Sequence, residues 1–243
     1  MASSRGLIRY LLVSLIGIVI GGIFLLPVNV LEQFFLDVRI SLAILGTDEG
    51  ESSDEIVLVL MDGLSEKELG VPAGSEWRQF FPLFIEKLYD AGAAAVVFDL
   101  EFLTQEAEFD TALADTAAEY GRVIAGEYEF GSTTDTLIDS FYGIGSLRVE
   151  AFNGVPRRVP FLKGSERPPI SILAAGILSD DMVSETITQN QGFWISYNHP
   201  MGYFTTFSFS EVLNASEGRI ADSRRTPLSI VQGKVVLVGM DLP

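Results

Sequence analysis

The chain has 243 residues, no cysteine, and 33 Asp and Glu against 16 Lys and Arg, a formal net charge of −17. An acidic excess of this size repels phosphate backbones and anionic headgroups, which argues against nucleic-acid binding. Without cysteine there is no disulfide framework and no thiolate metal site. The aromatic content of 11% and the repeated Val, Ile and Leu runs exclude a disordered chain.

Apart from Arg9, residues 7–28 carry no charge, and every acidic residue lies beyond them. About 22 residues at 1.5 Å rise reach roughly 33 Å, enough to cross a hydrocarbon core. Arg5 and Arg9 mark the front as the cytoplasmic end, so the acidic remainder is expected outside the cytoplasmic membrane. A cleaved signal peptide is the competing reading. The apolar run is long for one, and the bulky Leu25-Leu26-Pro27-Val28-Asn29 offers no small-x-small cleavage pair. Residues 1–28 therefore read as a cytoplasmic tip and membrane anchor. Gly17 and Gly21 stand at the spacing that lets two membrane helices approach closely.

Beyond Pro27, Val30, Leu31, Phe34, Phe35, Val38, Leu42 and Leu45 recur at steps of three and four, with Glu32, Asp37 and Arg39 mainly opposite. This predicts an amphipathic helix within residues 29–46, ending at Gly46. Its apolar seam would serve a partner helix in a homodimer or lie against the domain that follows. An acidic linker, residues 47–54, leads into that domain, taken as residues 47–243.

There, β and α signals alternate. The continuous apolar run from Ile56 to Met61 predicts a strand buried on both faces, ending at Asp62-Gly63. Pro82 suits the first turn of a helix that carries Phe84, Ile85 and Leu88 inward and stops at Gly92. Ala94 to Phe98 predicts a second buried strand ending at Asp99, residues 106–120 a surface helix closed by Gly121, and Val123-Ile124-Ala125 a third strand. Tyr142-Gly143-Ile144-Gly145 lacks the glycine pattern of a dinucleotide loop and reads as a turn. Asn153-Gly154 between two extended runs predicts a hairpin. A short helix over residues 170–178 follows Pro168-Pro169, and residues 193–197 and 203–209 alternate like half-buried strands. Ser210 is placed to cap a short helix, and the run from Lys234 to Gly239 is another buried strand. The order implies an α/β domain, a mainly parallel sheet with helices on both faces.

Several segments together resemble the CHASE2 family. They are Phe35-Leu36-Asp37-Val38-Arg39, the stretch from Leu88 to Asp99, Phe102, Asp110-Thr111-Ala112-Leu113 and the Gly154-Val155-Pro156-Arg157-Arg158 hairpin. The stretch from Phe207 to Leu213 and that from Gly233 to Gly239 complete the set, in the expected order along residues 29–240. The resemblance implies an extracytoplasmic sensor domain that regulates a cytoplasmic output such as a nucleotide cyclase, a kinase or a diguanylate cyclase. In the family the last strand is followed by further membrane helices. Here the sequence stops at Pro243, so the chain is expected to be a receptor fragment or a sensor acting through a partner.

Asp62 and Asp99 each end a buried strand, where open α/β sheets place their ligand crevice. Two carboxylates there suit a cation or a polar ligand; the alternative is that each caps the loop or helix after it. Arg157 and Arg158 could clasp a carboxylate, although strand alternation turns only one toward any given pocket, and a surface ion pair competes with that role. Phe98-Asp99-Leu100-Glu101 superficially matches a phosphatase nucleophile strand but lacks the second aspartate two residues on. The single histidine, His199, sits in a loop-like stretch, and there is no G-x-S-x-G elbow. No catalytic residue, metal site or cofactor is assigned. The expected partners are a small-molecule or envelope ligand, the membrane and a second copy. The alternatives are an extracytoplasmic metal-dependent hydrolase using Asp62 and Asp99, and a structural envelope protein.

Overall fold

A computed structural model describes residues 55–128, 133–152, 155–160, 167–178, 192–194, 204–215 and 227–241. The expected membrane span and amphipathic helix, His199 and the tip of the Asn153-Gly154 turn lie outside these residues. Among the described residues no helix is long and apolar enough to cross a membrane.

The main sheet contains β1 (Ile56–Asp62), β2 (Ala95–Phe98), β3 (Val123–Glu127), β4 (Gly143–Ser146), β8 (Thr205–Ser208) and β9 (Val235–Asp241). All six run parallel, in the order β4-β3-β2-β9-β1-β8. The predicted hairpin forms from β5 (Glu150–Phe152) and β6 (Val155–Pro160), and β7 (Gly192–Trp194) extends it into a small antiparallel sheet. Four of the anticipated parallel strands are therefore present. Between them run α1 (Gly63–Leu69), α2 (Phe81–Asp90), α3 (Ala107–Tyr120), α4 (Asp135–Ile138), α5 (Ile170–Leu178) and α6 (Phe209–Leu213).

One face of the main sheet carries the larger core. Val57, Val59 and Met61 of β1, Val236 and Val238 of β9, and Val96 and Phe98 of β2 point into it. They meet a set of aromatic rings: Phe84 stacks on Phe209 at 4.4 Å between centroids, Phe81 lies 4.9 Å from Phe98, and Trp77 lies 5.5 Å from Phe209. Trp77 comes from a 3₁₀ segment, Ser75–Phe80, immediately before α2. Helix α2 starts as expected, with Pro82 in its first turn, and ends before Gly92 at φ 90°; α3 closes at Gly121 in the left-handed region.

The opposite face holds a smaller cluster, Ala95, Val97, Ile124 and Val235 against Ile170, Leu173, Ala174 and Ile177 of α5. Helix α5 lies across β2, β3 and β4. This explains one correction. β2 and β3 are buried on both faces, but β1 alternates between buried and half-buried positions. Among the described residues, α5 covers only the β2–β4 half of that face.

Tyr142-Gly143-Ile144-Gly145 is also corrected: Gly143 to Ser146 is strand β4, paired with β3. Its two glycines are there for α5. A Cβ on Gly143 would come within 3.2 Å of Leu173, and one on Gly145 would run into the backbone of Ile170. The third correction concerns α6, which is capped by Ser208 rather than Ser210. Ser208 and Glu211 form a reciprocal capping box, and Ser210 lies inside the helix.

The larger core encloses an ion pair. Arg78 Nη1 donates to Asp110 Oδ1 at 2.7 Å with both side chains buried, and the guanidinium stands 5.2 Å from the centre of the Phe102 ring. Arg78 also donates to the Thr104 carbonyl, and Asp110 Oδ2 accepts from Glu106 N at 2.9 Å, fixing the start of α3. Removing one partner strands the other charge in the core, at a cost of about 3–5 kcal/mol. Asp110→Ala is therefore expected to lower unfolding free energy in urea by that amount. Gly145→Ala should lower it by about 1–3 kcal/mol, the penalty of overpacking. Hydrogen exchange at the α5–β4 seam should rise in the second variant and stay unchanged around Trp77.

Candidate functional site

Parallel strands deliver their C-terminal ends to one edge of the sheet, and the connections leaving that edge form a crevice. Here the ends of β1, β9 and β2 supply Met61, Met240 and Asp99 to a cavity of about 520 Å³, closed on its other sides by Arg78, Phe81 and Leu103. A second cavity, of about 540 Å³, lies between α5 and the second face of the sheet. Val97, Val235 and Leu237 form its floor, and Ala174 and Leu178 its roof. The two share Asp99, Tyr128 and Leu147. Volumes in this range suit a small molecule.

The shared wall is held by its backbone. Tyr128 N donates to Glu101 Oε1 at 2.7 Å, and Arg148 Nε donates to the Tyr128 carbonyl at 2.7 Å. Leu147 seats directly on Gly126, where a Cβ would collide with it. Beneath this wall, buried Glu127 accepts from Arg167 Nε at 3.0 Å. Five of the eight exposed large apolar side chains among the described residues line one or other of these two cavities: Leu103, Tyr128, Val149, Leu178 and Met240. Isolated exposed apolar side chains are ordinary, but such a concentration marks a surface built to be covered.

The two aspartates expected to act together are divided by the fold. Asp62 is the N-cap of α1. Its Oδ1 accepts from Ser65 N at 2.9 Å and Ser65 Oγ at 2.7 Å, and its Oδ2 accepts from Ser208 Oγ. Asp99 stands two strands away across β9, and its carboxylate receives no hydrogen bond from a described residue. The paired-carboxylate arrangement is not formed, and among the described residues no three acidic or histidine side chains gather as a metal site would require. Arg158 pairs with Glu150 at 3.2 Å on the small sheet, while its neighbour Val159 lines the α5 cavity. Arg157 lies in β6, and its side chain is outside the described set.

The two environments push the carboxyls in opposite directions. Burial alone would raise the Asp62 pKa, but the hydrogen bonds from Ser208 and Ser65 outweigh it and leave the group below the usual aspartate value of 3.8. Asp99 is reached by solvent through the crevice mouth, yet its apolar walls strip away enough water to raise its pKa. Reading the sequence for strand ends finds Asp99. It misses Tyr128, Leu147 and Arg148, which reach the crevice only once β3 and β4 are aligned.

A family model for the CHASE2 domain matches residues 13–243, nearly the whole chain. No curated protein and no solved structure matches it.

Linkage gives the two aspartates opposite signatures. The stability from Asp62 is complete above pH 3.8 and is lost as pH falls through its lowered folded-state pKa. Stability tied to Asp99 is complete below pH 3.8 and is lost as pH rises through its raised value. At pH 7, Asp62→Ala should therefore destabilise by about 1 kcal/mol or more, as loss of a helix cap does. Asp99→Asn should stabilise at pH 7, with the gain vanishing below pH 3.8; urea titrations at both pH values read the difference.

Proposed function

The chain belongs to the CHASE2 domain family of extracytoplasmic sensor domains, and we propose that it is the membrane-anchored, ligand-sensing part of a signal-transduction receptor. In this reading residues 7–28 hold the domain to the cytoplasmic membrane. The helix expected within residues 29–46 carries the signal, and a cytoplasmic cyclase, kinase or diguanylate cyclase receives it. The observation that supports the sensing role most directly is the crevice at Asp99. Two cavities meet there, one at the carboxyl edge of the parallel sheet and a more apolar one under α5, and exposed apolar side chains line both.

A ligand shifts a signalling equilibrium only by binding one arrangement better than another. The cavity under α5 suits that requirement because its roof, α5, and its floor, β9 and β2, belong to different layers. A ligand between them changes how the layers sit, and β1 passes the change to the linker at residues 47–54. Asp62 serves this reading as a structural cap. With its oxygens engaged by Ser65 and Ser208, no observation favours the hydrolase.

The chain has no cysteine, so single cysteines report without background. Thr111→Cys, exposed on α3, should react with a membrane-impermeant maleimide in intact cells. Protection until the cells are lysed would overturn the extracytoplasmic placement. Single cysteines along residues 30–45 should crosslink between copies, with a pattern that changes when Ala174→Phe fills the crevice. An unchanged pattern would overturn the transmission route.

A further inference from the structure

Two charged side chains with spare binding capacity line the cavity under α5. Asp99 has a carboxylate with no hydrogen bond from a described residue. Arg148 spends its Nε on the Tyr128 carbonyl, and its two Nη groups make no hydrogen bond to a described residue. Both line the cavity under α5, whose other walls are largely aliphatic. Among the described residues, the other charged one on that cavity, Glu55, precedes β1 and so lies at the opposite end of the parallel sheet.

We propose that this cavity binds a zwitterion with an apolar body, of the class of an apolar amino acid, its ammonium on Asp99 and its carboxylate on Arg148. The inference rests on the crevice being the ligand site and adds what fills it. The charges select this class by exclusion. A simple amine would satisfy Asp99 but bring a second cation beside Arg148. A simple carboxylate would satisfy Arg148 but bring a second anion beside a carboxylate already short of water. A zwitterion gives each group an opposite charge and adds no net charge to the cavity. A guanidinium is also suited to holding a carboxylate through two parallel hydrogen bonds. The apolar body then covers Val97, Leu237 and Ala174, surface that the open cavity leaves to water.

The test uses calorimetry on the full chain with three probes of one shape: L-phenylalanine, 2-phenylethylamine and 3-phenylpropionate. Phenylalanine should bind at least tenfold more tightly than either analogue. Asp99→Asn should weaken phenylalanine and phenylethylamine at least tenfold while sparing phenylpropionate. Arg148→Gln should weaken phenylalanine and phenylpropionate while sparing phenylethylamine. Both variants are neutral at positions open to solvent, and circular dichroism confirms their fold. Equal binding of all three probes, or no response to either substitution, would overturn the proposal. So would no binding of phenylalanine. In that case the neutral apolar dye N-phenyl-1-naphthylamine separates two outcomes. Dye uptake that Ala174→Phe abolishes leaves the crevice as a ligand site of another class; no uptake removes the crevice reading as well.

Discussion

Strand β9 is the constraint on which the rest of the domain depends. It pairs with β1 from Ile56↔Val235 to Asp62↔Asp241, and on its other edge with β2 from Ala95↔Val235 to Phe98↔Val238. Without it the sheet is two separate pieces, β8-β1 and β2-β3-β4. Its alternation serves both cores at once: Val236 and Val238 enter the aromatic one, and Val235 enters the cluster under α5. The same strand sets the lateral distance between Asp62 and Asp99, and so decides that they occupy different environments.

Those environments show how one residue type takes two roles. Asp62 is surrounded by donors, so ionisation is favoured and the carboxylate acts as a structural acceptor. No described residue donates to the Asp99 carboxylate and its surroundings are largely apolar, so its charge is held at a cost, and a ligand that supplies a cation would relieve that cost. A third carboxylate, Asp110, resolves the same tension internally, by taking Arg78 into the core with it.

Much of the fold was legible because buried parallel strands are written as apolar runs. Those at Ile56, Ala94, Val123 and Lys234 all mark real strands, and Pro82, Gly92 and Gly121 punctuate the helices between them. β4 was not legible, because Gly-Ile-Gly-Ser has no apolar continuity and a single β-branched residue, Ile144, between two glycines. Its glycines answer to α5, which follows more than twenty residues later in the chain. The cap of α6 was misplaced by two residues because Ser208 and Ser210 are equivalent by composition; only Glu211 reaching back to Ser208 separates them. At the crevice, Asp99 could be read from its strand, but whether a strand-end aspartate is a cap or a ligand depends on where neighbouring hydroxyls fall. The Arg78–Asp110 pair did leave a signal. Asp110 shares a helical stripe with Leu113 and Ala117, and a carboxylate on an inward stripe calls for a buried cation.

The position of β9 also bears on how the polypeptide acquires its shape. The strand sits at the middle of the sheet but is separated by most of the domain's sequence from the β1 and β2 edges it joins. Contacts of such long range form slowly, because loop closure costs entropy before any pairing repays it. A chain in which β1 and β2 formed before β9 paired would leave two unsaturated β edges across a gap, each a template for another chain. A secretion route that releases this domain slowly would therefore have to shield that gap, and the interval before its closure is when aggregation threatens most.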